Sequence, residues 1–157
     1  MTRNEQKRLD HALHNEKVCN LLYEDKSCPD WVITTAFYSC IHFVRYKLFP
    51  FEDTDSGNRF MEFDYYCAYY EDRNLSQHQQ LIVLAKRNLP HKLRDGFGQI
   101  FGLCKNARYN DYLVEDFEKD FAYDYMQELK KYCNTGKQKS PSIRRGKRPR
   151  INKTKPK

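Results

Sequence analysis

Apolar positions recur at helical spacing through most of this chain, and most densely between Asp30 and Leu48. There Ile33, Phe37, Ile41, Val44 and Leu48 step by threes and fours, and Ala36, Cys40 and Phe43 widen the stripe around most of the circumference. A helix of about five turns, apolar on nearly every side, belongs at the centre of a bundle. Ser27 and Asp30 offer a capping box around Pro29, and Pro50 closes the element. The remaining polar seam carries Tyr38, His42 and Arg45, again three and four apart. It reads either as a packed polar edge of the core or as a site.

The other segments predict helices to surround that one. Residues 3 to 24 form an amphipathic pattern with Leu9, Leu13, Val18, Leu21 and Leu22 as the inward stripe. His11 and His14 lie one turn apart on its wet face, without the carboxylate or thiol support that a metal site needs. Phe51 to Asn58 has the composition of a connecting loop. Arg59 to Asn74 predicts a short aromatic helix, whose rings either cover the end of the core or stack on bases. Ser76 caps a helix ending at Asn88, before Pro90, with Leu81, Ile82, Leu84, Ala85 and Leu89 inward. His91 to Asn106 follows with Leu93, Phe97, Ile100, Phe101 and Cys104 inward, and its Gly96, Gly98 and Gly102 suggest close approach to a neighbouring helix. After the polar junction Ala107 to Tyr112, Val114 to Cys133 predicts a last helix with Phe117, Phe121, Tyr125 and Leu129 on one face. No segment shows strand alternation. The expected fold is an all-α, up-and-down helical bundle of five to six helices over residues 1–135.

Residues 136–157 change the picture. They hold ten Lys or Arg and no acid, so of the net charge of +7 none resides in the body, where 18 basic residues face 21 acidic ones. With almost nothing to bury, this stretch predicts a disordered polybasic tail. Lys137, Lys139, Arg144, Arg145, Lys147, Arg148 and Arg150 suit the phosphates of a nucleic acid, bound in a salt-dependent manner. An acidic protein partner, or a tail that only confers solubility, are the alternatives. Lys147-Arg148-Pro149-Arg150 also resembles a nuclear import signal. The six cysteines show no CxxC pair or zinc spacing, and the first residues lack the apolar stretch of a secretory signal. Both suggest a reducing, cytoplasmic setting, and no apolar run is long enough for a membrane span. Glycine-rich phosphate loops, nucleophile elbows and HExxH are absent, and neither a cofactor nor a metal is expected.

His14-Asn15-Glu16, Asp30-Trp31, Phe37-Tyr38-Ser39-Cys40-Ile41-His42, His78 and Ala107-Arg108-Tyr109 occur in the order and spacing of small helical proteins of the HEPN superfamily, which the chain resembles over roughly residues 9 to 112. That resemblance implies an up-and-down bundle, frequent homodimers and, in the ribonuclease branch, a metal-independent pair of Arg and His separated by four to six residues. Carried onto this chain, the pair is Arg73 and His78, with Asn74 after the Arg. His78 then serves as general acid or base and Arg73 clamps the phosphate. Arg8 and His14 form a second pair of that spacing, and Leu81 stands where relatives often carry an Arg. A competing constellation joins His42 to Tyr38, Arg45, His78, Arg108 and Tyr109, although a His on a buried helix is commonly a satisfied core group. The resulting expectations are an RNA-binding domain, RNA in preference to DNA, that is either an endoribonuclease or a non-catalytic partner-binding module.

Overall fold

The structure is a computed structural model that describes residues 1–26, 28–70, 74–110 and 113–135. Ser27, Arg73 and the polybasic segment 136–157 therefore lie outside the described residues, as does the expectation that this segment is disordered. Among the described residues there are six helices: α1 (Arg3–Asp25), α2 (Pro29–Leu48), α3 (Phe63–Tyr69), α4 (Gln77–Asn88), α5 (His91–Tyr109) and α6 (Asp116–Asn134). The all-helical expectation holds.

The central position of α2 follows from its composition. Val32, Ile33, Ala36, Phe37, Cys40, Phe43 and Val44 are all at most 2% exposed, and α1, α5 and α6 pack around them. Proline in the first turn starts this helix at Cys28, whose side chain makes no capping bond. Threonine hydroxyls that the apolar surroundings leave without water return to the helix itself, Thr34 to the Asp30 carbonyl at 2.9 Å and Thr35 to that of Trp31 at 2.7 Å.

The inward face of α1 differs from the one expected. Arg8, Ala12, Glu16 and Cys19 are buried, whereas Leu13 and Leu21 are 39% and 58% exposed and Leu9 and Leu22 only flank the core. Small residues decide this. Ala12 and Cys19 let α1 approach α2 closely enough for the Ser39 hydroxyl to donate to the Ala12 carbonyl at 2.8 Å, a distance that leucines in the seam would prevent. The two charged groups drawn inward are each paired, Arg8 with Glu62 at 2.6 Å and Glu16 with Lys130 at 2.6 Å, as burial of a charge requires.

The Phe51–Asn58 stretch is more than a connector. Phe51 pairs with Phe60 and Glu52 with Arg59 in a two-residue antiparallel ladder, closed by a turn in which Gly57 takes a positive φ of 75°. Two residues per strand are too few to show alternation in a sequence. Both phenylalanines are buried, and with Phe49, Phe63 and the half-buried Tyr66 and Tyr70 they form a ring cluster at the end of α2. The aromatic segment thus caps the core with most of its rings, and its helix is shorter than the sequence pattern suggested, because the first of its rings belongs to the ladder. In α6 the buried stripe begins at Ala122 and runs through Tyr125, Met126, Leu129 and Cys133, which leaves Phe117 71% exposed.

Of the three glycines of α5, only Gly96 marks a close approach. A Cβ there would lie 2.5 Å from Cδ2 of Tyr125, a ring held in place by its hydroxyl donating to the Leu93 carbonyl at 2.7 Å. At Gly102 a Cβ would meet open space. Gly102→Ala is expected to stabilise the fold by about 0.5–1 kcal/mol through helix propensity, and Gly96→Ala to destabilise it by about 1–3 kcal/mol through overpacking. Urea unfolding followed by circular dichroism measures both.

Candidate functional site

The polar seam of α2 opens onto two clefts. Tyr38 lies in the first, formed with the start of α4 and the last turns of α5. Ser76 fixes that start by a capping box, its Oγ accepting from the Gln79 N–H at 3.3 Å while the Gln79 side-chain oxygen accepts from the Ser76 N–H at 2.9 Å. The box places His78 in the first turn of α4. Ala107, buried at 3% exposure, continues α5 into the polar junction expected there and carries Arg108 and Tyr109 to the same place.

This first cleft, of about 270 Å³, has an aromatic floor and a cationic rim. Phe37 and Phe101 pack at 5.6 Å, and the His78 ring lies 5.7 Å from Phe37 and 6.2 Å from Phe101. Arg108 Nη1 donates to the Tyr38 hydroxyl at 2.8 Å, and its guanidinium lies 5.1 Å from the Tyr109 ring. Lys105 adds a second cation, and no acidic side chain lines the cleft among the described residues. Burial, and then the Arg108 charge, lower the pKa of His78 below its ordinary value. A neutral imidazole beside a guanidinium is the protonation state that accepts a proton next to a developing anion.

His42 and Arg45 belong elsewhere. Although Tyr38 and His42 are one turn apart, α1 closes on the turn that carries His42, whose ring meets His11 edge-on at 5.0 Å. Arg45 reaches Asp64 at 3.3 Å and stands 5.3 Å from the Phe63 ring. Together with Lys7, Arg8 and Glu62 these side chains line a second cleft of about 380 Å³. Of the competing constellation, therefore, Tyr38, His78, Arg108 and Tyr109 are brought together, and His42 and Arg45 are not. Arg8 and His14 do not pair either, since Arg8 is buried against Glu62 and the Phe49 carbonyl while His14 is exposed. Arg73, the expected partner of His78, lies outside the described residues.

No family model, curated protein or solved structure matches this chain. The geometry of the clefts is accordingly the basis for a functional reading. Among the described residues no group of three or more His, Cys, Asp or Glu is arranged to hold a metal ion, and no helix is long and apolar enough to cross a membrane. The thiols of Cys19, Cys40, Cys67, Cys104 and Cys133 are buried, and burial pushes Cys19 up to about 11 and Cys133 to about 12, so neither is a ready nucleophile.

Sequence reasoning missed Lys105, Gln79 and Phe101 at the first cleft and His11, Arg8 and Glu62 at the second. His11 drew attention only through His14, whereas its ring neighbour comes from another helix.

Burial, His11 and Arg45 together hold the pKa of His42 down at about 4, against 6.5 for a free imidazole. Between those values the unfolded chain binds a proton that the folded chain refuses, so stability falls as pH falls from about 6.5 towards about 4. His42→Gln is expected to make this part of the acid limb shallower, read as the urea midpoint against pH.

Proposed function

We propose that this chain is an RNA-binding domain that engages single-stranded RNA at the Tyr38–His78–Arg108 cleft and cleaves it by internal transesterification. The observation that carries the reading is the joining of His78, Arg108 and Tyr38 over an aromatic floor without an acidic neighbour in the described residues. Half-buried Phe101 offers apolar ring surface over buried Phe37, Tyr109 is 69% exposed at the rim, and bases stack on such accessible rings with little regard to sequence. Arg108 and Lys105 supply phosphate affinity, and the ten cations of residues 136–157 would add a non-specific attraction.

In this reaction neutral His78 removes the proton of a ribose 2′-hydroxyl. The 2′ oxygen attacks the adjacent phosphorus, and Arg108 stabilises the charge that accumulates on the phosphoryl oxygens. The P–O5′ bond breaks, water protonates the departing 5′ oxygen, and a 2′,3′-cyclic phosphate remains. Arg108 here takes the role that the HEPN resemblance assigns to Arg73. The resemblance also suggests a homodimer, in which the cleft of one copy would lie near that of the other.

A non-catalytic partner-binding role has one observation in its favour: Trp31, Leu113 and Phe117 are 55%, 85% and 71% exposed, more apolar surface than RNA requires.

Incubation of the full chain with a labelled single-stranded RNA in the presence of chelator tests the first reading. Cleavage with a cyclic phosphate end is expected, reduced about a hundredfold or more in His78→Ala and Arg108→Ala. Unchanged rates in both variants would exclude this cleft as the catalytic site. Binding without cleavage that weakens in Arg108→Ala would retain the RNA partner and discard the reaction. Removal of residues 136–157 is expected to make the fall of log affinity with log salt shallower, by about 0.7 for each phosphate that the tail had neutralised.

A further inference from the structure

The second cleft holds groups that the fold leaves unfinished. Arg8 is 6% exposed, and its two terminal nitrogens are occupied, Nη1 by Glu62 Oε2 at 2.6 Å and Nη2 by the Phe49 carbonyl at 3.1 Å. Its Nε–H is buried and has no partner. Arg45 bonds Asp64 through Nη2, and its Nε–H is likewise buried and unpartnered. Glu62 Oε1 is a buried acceptor in the same state. All three residues line one cleft, with Lys7 and His11 from α1 and His42 from α2 beside them. A buried donor or acceptor left unmade carries the full cost of desolvation, so an occupant that reaches these groups gains from each; Gln80 Oε1 and Arg94 Nε are buried orphans that lie outside this cleft.

The chemistry of the orphans specifies that occupant. Two guanidinium N–H groups, with Lys7 adjacent, bond most strongly to an anionic oxygen, and a carboxylate oxygen accepts from a hydroxyl or amine donor. An anion without a hydroxyl satisfies only the first demand, and hydrogen phosphate, which carries a hydroxyl of its own, fills only part of the cleft. The volume of about 380 Å³ also exceeds what one small ion fills and lies in the range of small-molecule sites. We propose that the cleft between α1, α2 and Glu62–Asp64 binds a phosphorylated sugar, its phosphate taken by Arg45, Arg8 and Lys7 and one of its hydroxyls donated to Glu62. The inference is independent of the Tyr38–His78–Arg108 cleft and of the RNA reading.

Two carboxylates already sit in this site, and they behave differently towards a phosphate. Glu62 is held by Arg8 at 2.6 Å and its side chain is 21% exposed, so it remains as the hydroxyl acceptor. Asp64 is 66% exposed and meets Arg45 only at 3.3 Å. It is the group that a phosphate displaces into solvent. The rings of His42 and His11, 5.0 Å apart, line the same cleft beside the proposed phosphate position.

Titration of the full chain with ribose 5-phosphate, followed by the imidazole and guanidinium Nε–H resonances, tests the proposal. Saturable shifts are expected at His11, His42 and the Nε–H signals of Arg8 and Arg45, with His78 unmoved. Inorganic phosphate is expected to bind about tenfold or more weakly, and ribose without phosphate not measurably. Arg45→Ala is expected to weaken ribose 5-phosphate binding about tenfold or more, and Asp64→Ala, which removes the competitor, to tighten it severalfold. Asp64 is exposed and Arg45 is half-buried, so circular dichroism and the urea midpoint of each variant establish that the fold is retained. Shifts that grow linearly without saturation, equal response to phosphate alone, or indifference to Arg45→Ala would each overturn the site.

Discussion

The close approach of α1 to α2 is the packing on which the rest of the structure depends. It is possible because Ala12, Ser39, Cys19 and Cys40 are small at the crossing, and it is fixed by the Ser39 hydroxyl on the Ala12 carbonyl. With α1 seated there, the remaining circumference of α2 is packed chiefly by α5 and α6. The crossing also rotates Arg8 and Glu16 inward and turns Leu13 and Leu21 out. Two buried charges then need partners from distant parts of the chain. Glu62 and Lys130 provide them, so that α1 is tied at one end to the segment before α3 and along its length to α6.

That same crossing divides the polar seam of α2. A turn of helix separates Tyr38 from His42, and α1 covers the second but not the first. Tyr38 is left to meet Arg108 across the bundle, and His42 is pressed against His11. The two clefts differ in kind as a consequence. The first is aromatic below and cationic above, with no carboxylate among the described residues, an environment suited to a base and a phosphodiester. The second interleaves cations, carboxylates and imidazoles, with several of their polar atoms unmatched, an environment suited to a small ligand with both charge and hydroxyls.

The HEPN resemblance and the geometry meet at Phe37, Tyr38, His78, Ala107, Arg108 and Tyr109. In sequence these positions are scattered over more than half the body. In the structure Phe37, Tyr38, His78, Arg108 and Tyr109 line one cleft, and buried Ala107 seats the turn that carries the last two. Tyr38 ties the sequence pattern to the cleft, since its hydroxyl accepts from the Arg108 guanidinium at 2.8 Å. His42, by contrast, matches the same pattern in sequence and yet belongs to the other cleft.

Periodicity is enough to locate the helices, because each buries an apolar face whose spacing is written locally, but not the bounds of α3 or the end of α5. The centrality of α2, the Ser76 cap, the close approach at Gly96 and the segregation of positive charge into residues 136–157 are legible for the same reason. Which face of α1 turns inward is not. A stripe of leucines is the stronger local signal, and it loses to a helix crossing that demands small residues, which is a property of two segments together. The two-residue ladder at Phe51 and Phe60 escapes for want of length. The sites are half legible: Tyr38, His78, Arg108 and Tyr109 can be suspected from residue type, but that they converge, and that His42 instead joins His11, Arg8 and Glu62, is decided only when α1 lies down on α2.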